Sequence, residues 1–410
     1  MLGPDGNSAG GLIEASAVNL VDKLGNDSIN LNPAHRFVFS DIASEWNAER
    51  AGDSLIFTAF SNTVIYFPIA HVLPGISIAI ARQIGAPPLA WLYIGRLTNA
   101  LTAVAVSTIA IAIFEETGLF ALVLCSLPIV LFEEASLSAD ALVIPFSILL
   151  SALVARIARN TTLEWSFFIG LFISLLYVTV AKIAYIPLVL LPPVVAVIQK
   201  RHFKEILPLF LISTLAVTSW IFWSLLIHNE VFAGGAHSDI LDVNRQFRNV
   251  LRHPLIFPGA VLRTILNIRQ SLGLIAQAMG AKLGWLNVSM PKYIVVLSLT
   301  TFVTAFTFRE SKIPLLGTSR LLTLFLLLCS LVMVYFLFYL QYTPVGQTTV
   351  DGIQGRYLIP LLAFLPLAIP GWSARRYQAY RILQLIVLTS EIAPITTVVI
   401  VWMAYWVIYD

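Results

Sequence analysis

Polar residues are sparse along most of this chain and fall in short clusters between long apolar runs. A helix crossing the hydrocarbon core of a bilayer needs roughly 20 largely apolar residues. Runs of that kind occupy positions 64–84, 88–114, 119–132, 141–158, 165–180, 183–198, 206–227, 293–308, 321–340, 357–369 and 383–408. Two of them, 119–132 and 357–369, are nearer half a span, and Pro192 and Pro193 interrupt another. No run alternates as a barrel strand does, and an open sheet cannot be satisfied in lipid. The pattern predicts an all-α fold, a polytopic bundle of about ten transmembrane helices. Four regions follow: a polar segment over 1–63, spanning helices over 64–228, a loop over 229–292 and further spans over 293–410. Within the loop, the apolar periodicity of 254–279 reads as one or two helices lying at the membrane interface.

Composition agrees with the pattern. The 410 residues are 58% hydrophobic and 11% charged, with mean hydropathy +0.85. Soluble domains carry about 25% charged residues. A net charge of +3 gives no reason to expect nucleic acid as a partner. Cys125 and Cys329 both lie in apolar runs and read as packing residues. The six histidines show no metal-ligand spacing, so a divalent metal stays open without a ligand motif. Phosphate-binding loops, dinucleotide fingerprints and nucleophile elbows are all missing, which leaves ATP-driven transport and serine hydrolysis without support. The start of the chain lacks the basic-then-apolar pattern of a signal peptide.

Orientation follows lysine and arginine in short loops. Four such clusters, at Arg156 and Arg159, at Lys200, Arg201 and Lys204, at Arg309, Lys312 and Arg320, and at Arg375, Arg376 and Arg381, make the later spans consistent if all face the cytoplasm. The 229–292 loop, the 341–356 loop and the C-terminal Asp410 then lie outside. Strict alternation back to position 64 puts the N-terminal segment inside. An external N-terminal segment instead requires one early apolar run to be re-entrant.

The stretch QYTPVGQTTVDGIQGRYLIP, 341–360, carries the most chemistry. It sets Asp351, Gln354 and Arg356 between two apolar runs. A guanidinium at the rim of a bilayer snorkels or finds a partner, and its planar fork suits a phosphate or carboxylate. Lys182, in TVAKIAY between two closely spaced runs, is either a second functional cation or a snorkelling one. Asp140, after SLSA, is either a helix cap or an acid that pairs with a cation. Arg96 and Asn99 stand three apart and read as helix–helix glue. Asn62 and Tyr66 open the first apolar run, where an interfacial anchor is the plain reading and substrate contact the functional one.

The segments SNTVIYFPIAHVLPGI (61–76), YIGRLTNA (93–100), ASLSADAL (135–142), AKIAYIPL (181–188), HPLIF (253–257), GAKLGWLNVSMP (280–291) and YTPVGQTTVDGIQGRYLIPLL (342–362) occur in one order. Together they resemble the bacterial multipass family called domain of unknown function 2142. That family is similar in turn to the C-type membrane glycosyltransferases (GT-C), which move a sugar from a polyprenyl-phosphate carrier outside the cytoplasm. The resemblance implies a bacterial inner-membrane protein, an external N-terminal segment and a lipid-phosphate sugar donor held by Arg356 and Lys182, with Gln354, Asn62 and Tyr66 as further contacts. It also implies an N-terminal helix followed by an acidic motif with a histidine, neither of which appears here. Without that acid, Asp140 and Asp351 are the remaining candidates for the base. The competing classes are a transporter or flippase and a non-catalytic scaffold, so whether the chain is an enzyme stays open.

Overall fold

The structure is a computed structural model and describes residues 10–24, 39–47, 54–60, 67–114, 117–159, 162–231, 241–284, 286, 288–309, 313–371 and 392–405. It is mostly helical, in keeping with a membrane bundle. Among the described residues four helices are long and apolar enough to cross a membrane: Pro88–Ile113, Asp140–Arg159, the Phe203–Trp223 part of a longer helix, and Gly317–Gln341.

The polar N-terminal region forms a hairpin of β1 (Gly10–Glu14) and β2 (Leu55–Ala59), antiparallel with Glu14 opposite Leu55. Helices α1 (Ala15–Leu24) and α2 (Phe39–Trp46) lie between them in sequence. Then come α3 (Ile69–Gln83) and α4 (Pro88–Ile113), packed against each other along their length. The N-terminal region rests on this hairpin: Glu14 pairs with Arg82, Arg82 lies 5.6 Å over the Trp91 ring, and Trp46 meets Tyr93.

The chain continues through α5 (Gly118–Cys125) and α6 (Pro128–Glu134), which are one run broken at Ser126 and Leu127 ahead of Pro128. Proline at the first turn starts a helix well but cannot continue one. Helix α7 (Asp140–Arg159) is the axis of the bundle, with every residue from Asp140 to Ala155 buried. An apolar helix surrounded on all sides has no polar face to turn outward. Helix α8 (Trp165–Leu175) runs into a π turn, Leu176–Val180. A 3-10 stretch, Ile183–Leu190, holds Pro187 and leads into α9 (Leu191–Gln199). Helix α10 (Phe203–Val231) follows, then three short helices, α11 (Val243–Arg252), α12 (Ile256–Leu266) and α13 (Ile268–Ala278). A small antiparallel ladder pairs β3 (Lys282–Leu283) with β4 (Val288–Ser289). Helices α14 (Lys292–Thr307) and α15 (Gly317–Gln341), a 3-10 turn at Gly355–Leu358, two single turns α16 (Ile359–Leu362) and α17 (Leu365–Ala368), and α18 (Ile392–Tyr405) complete it.

Hydrogen bonds fix how the ends line up. Asn99 Nδ2 donates to the Ser136 carbonyl at 2.8 Å and Arg96 Nε to that of Ala135 at 2.8 Å, so Asn99 is level with the start of α7. The Arg96–Asn99 pair thus ties α4 to the turn between α6 and α7. At the opposite end Arg201 donates to the carbonyls of Ala158 and Arg159, which sets the start of α10 level with the end of α7. Phe67, just before α3, meets Trp220 edge-on at 4.9 Å. At 1.5 Å per residue Trp220 lies about 26 Å along α10, near the Asp140 end. From there α3 rises past Gly95 and ends at Arg82 beside the N-terminal hairpin. Both ends of α3 lie toward one end of the bundle, so this first apolar run does not connect the two ends.

Candidate functional site

The break between α8 and α9 places a lysine in the bundle. The π turn ends at Val180, and Lys182 has extended backbone before the 3-10 stretch begins. Its ammonium reaches the first residue of α7, with Nζ 2.9 Å from Asp140 Oδ1 and 3.1 Å from Oδ2. Asp140 is buried and Lys182 nearly so, at 4% and 11% side-chain exposure, so this is an internal ion pair. Buried charges persist only when paired and hydrogen-bonded.

A second pair stands beside it. Arg356, in the 3-10 turn after the 341–356 loop, donates from Nη1 to Glu133 Oε1 at 2.9 Å. Its Nη2 donates to the Tyr357 hydroxyl at 3.2 Å. Its Nε, 3.9 Å from Asp140 Oδ2, is buried and has no hydrogen-bond partner among the described residues. Glu133, in the last turn of α6, also accepts from the Ser138 hydroxyl at 2.9 Å. Lys182 and Arg356 both lie over the Tyr357 ring, at 4.9 and 5.1 Å, and Tyr185 donates to the Tyr357 carbonyl at 2.9 Å. Burial disfavours the Arg356 charge, but the Tyr357 hydroxyl, Glu133 and Asp140 outweigh it and hold its pKa above the ordinary arginine value. Two cations therefore face two carboxylates. The spare donor belongs to Arg356.

Lys182 is also the polar wall of a cleft of about 120 Å³, lined by Ile183, Val334, Leu337, Phe338, Tyr342 and Tyr357 among others. Whole small-molecule sites run to roughly 300–1,000 Å³. The cleft has room for part of an apolar chain and its first polar group. On the far side of Arg356 a much smaller polar recess is lined by Glu133, Gln277, Lys282 and Gln354.

The Arg356 turn is held from outside by α11, α12 and α13. Gln246 donates to the carbonyls of Tyr339 and Pro344 and accepts from the Gly346 N–H. Arg263 donates to the Thr348 carbonyl and Gln270 to that of Val350, while the Val350 N–H donates to the Thr264 hydroxyl. Last, the Gly355 N–H donates to Gln277 Oε1 at 3.1 Å. Gly355 is the one residue type that fits there: a Cβ would stand 2.2 Å from the Ala278 backbone nitrogen. Backbone packs on backbone one residue before the key arginine.

Of the residues singled out in the sequence, Asp140, Lys182 and Arg356 come together, and Gln354 lines the adjoining recess. Asp351 is exposed, and its backbone N–H donates to the Thr343 hydroxyl. Asn62 and Tyr66 lie outside the described residues. Glu133, Tyr357, Tyr185 and Gln277 were not singled out. Glu133 carried a signal, since it ends an apolar run seven residues before Asp140; Gln277 carried none. Among the described residues no cluster of three or more histidine, cysteine or carboxylate side chains is arranged to hold a metal.

No curated protein and no solved structure matches this chain. A family described as "Predicted membrane protein (DUF2142)" matches residues 17–365, which include every residue of the cluster. The chain is an integral membrane protein and belongs to the family of domain of unknown function 2142.

Proposed function

We propose that this protein is a glycosyltransferase-like component of cell-surface glycan assembly that uses a polyprenyl-phosphate-linked sugar. One observation carries the reading: Lys182 lines the polar edge of an apolar cleft, and Arg356, with an unused buried donor, stands beside it over the same Tyr357 ring. That combination suits a ligand with an anionic group at the end of an aliphatic chain. In this reading the bundle is GT-C-like, with about ten crossings, and α3 stays at one face. The cluster and the C-terminus face outside the cytoplasm of a bacterial inner membrane. The gathering of Arg159, Arg201, Arg309 and Arg320 at the opposite end supports that orientation.

The mechanism follows from the pairs. The donor phosphate takes up the free Arg356 Nε–H and competes with Asp140 for Lys182. Their charge stabilises the phosphate as it leaves the sugar. Asp140, released from Lys182, accepts the proton of the acceptor hydroxyl as that oxygen bonds to the anomeric carbon, and the carbon–phosphate oxygen bond breaks. Attack opposite the leaving group inverts the centre. Asp351, on the exposed side of the same loop, is the alternative base, and Gln354 meets the sugar side of Arg356.

The test uses the protein in lipid nanodiscs, with farnesyl phosphate and farnesol as probes. The phosphate is expected to bind at least tenfold tighter than the alcohol, and Arg356→Ala to erase that difference. Equal binding of the two by the unaltered protein sinks the phosphate grip. A flippase for a lipid-linked solute is the second reading, favoured by the π and 3-10 break around Lys182, because transporters place such breaks at their binding sites. Movement of a lipid-linked sugar across proteoliposomes without sugar transfer selects that reading.

A further inference from the structure

The region 243–292 holds five arginines and two lysines and no acidic residue. Net charge in the whole chain is only +3, so this is where its basic excess is concentrated on the cluster-bearing end. Arg245, Arg248, Arg252, Arg263 and Arg269 are all exposed, spread over α11, α12 and α13. The same helices expose large apolar side chains at helical spacing. Leu255, the residue that precedes α12, and Leu262 and Leu266 within it recur on one face, at 82%, 58% and 67% exposure. Ile268, Leu272 and Ile275 do so along α13, at 73%, 61% and 44%. The other face of α12 is engaged: Phe257 packs on Phe336 and Tyr339 of α15, and Thr264 is buried against the 341–356 loop.

Position supports one occupant. Phe336 is about 8 Å from the end of α15, at 1.5 Å per residue. Helix α12 therefore lies across the bundle where a spanning helix leaves the hydrocarbon. A helix at that depth with an apolar stripe and arginines beside it meets acyl chains and headgroups together. Five arginines against one acid, the Asp242 that caps α11, favour anionic headgroups over zwitterionic ones.

We propose that α11–α13 form an anionic-lipid-binding surface, lying in the headgroup layer with their leucine and isoleucine stripe toward the acyl chains. The assignment stands independently of any glycosyl chemistry. A bimane label at Leu266→Cys, on a Cys125→Ala, Cys329→Ala background, reads it in nanodiscs containing lipids brominated on their acyl chains. In phosphatidylglycerol the label is expected to lose at least half its fluorescence. In phosphatidylcholine, or in phosphatidylglycerol with Arg245→Gln, Arg248→Gln and Arg252→Gln together, the loss is expected to fall at least twofold. Ile268→Cys gives an independent reading should Leu266→Cys fail to fold. Equal quenching in both lipids overturns the anionic preference, and no quenching in either overturns the docking itself.

Discussion

Arginines at the two ends of this bundle are held in opposite ways. At the cluster end Arg356 is held by a carboxylate, Glu133, with Asp140 beside it. At the other end the partners are backbone carbonyls. Arg201 caps the end of α7, Arg309 donates to the carbonyls of Phe306 and Ile369, and Arg320 donates to that of Ile313. Carbonyls at helix ends lack intrahelical donors and carry partial negative charge. An arginine there completes the fold and uses its donors doing so. Burial pushes the Arg309 pKa down to about 10, with Arg320 adding repulsion. Arg356 instead sits in a balanced set of full charges and keeps a donor unused. A cation capping a helix has little to offer a ligand, whereas one that shares a carboxylate can exchange it for a phosphate.

The sharpest way to break this contrast is to remove one member of the internal pair. Asp140→Ala leaves Lys182 buried without its carboxylate, and losing one partner of a buried pair costs about 3–5 kcal/mol. Asp140→Asn with Lys182→Met removes both charges and is expected to recover most of that stability in denaturant titrations. Binding of farnesyl phosphate should stay weak in the double variant. Recovery of binding along with stability places the pair in folding alone. Next in size is Gly355→Ala. Its Cβ meets the α13 backbone, which cannot yield as a flexible side chain does. Overpacking of this kind costs about 1–3 kcal/mol. The Arg356 turn should lift from α13, lowering both melting temperature and phosphate affinity. An unchanged affinity shows that α13 does not set the position of Arg356.

Much of this end was legible in the sequence because charge in an apolar chain is conspicuous. Asp140, Lys182 and Arg356 each stand against apolar neighbours, and the 341–356 loop is bounded by apolar runs, so each announced itself locally. Glu133 was obscured by its place in FEE at the end of a run, where acids read as a solvated edge. Asking which acid balances Arg356 would have found it. Gln277 had no such cue, being an uncharged residue in a short amphipathic helix, and its partner Gly355 is distant in sequence. The helical class was legible from run lengths, but the behaviour of α3 was not, since a run of that length reads as a crossing until Phe67 and Arg82 are located. Asp351 shows the converse: it looked like chemistry in the sequence and is exposed at the edge of the loop.

Smaller effects sharpen the comparison further. Arg356→Lys keeps the charge and loses the fork, so the Glu133 contact survives and the Nε donor disappears. About tenfold weaker farnesyl phosphate binding is expected, which is roughly 1.4 kcal/mol. Full retention means the site needs only a point charge.

Arg201→Ala is the matching change at the other end. It strips the last carbonyls of α7 of their donors, and a part-exposed capping interaction of this kind is worth about 1 kcal/mol. Stability should fall by that amount while farnesyl phosphate binding stays within twofold, because the change lies a full length of α7 away, about 29 Å at 1.5 Å per residue. Equilibrium denaturation and probe titration on the same preparation separate the two. A loss of binding larger than the loss of stability would mean that α7 transmits the state of its far end to Asp140, and the two ends would then be parts of one device.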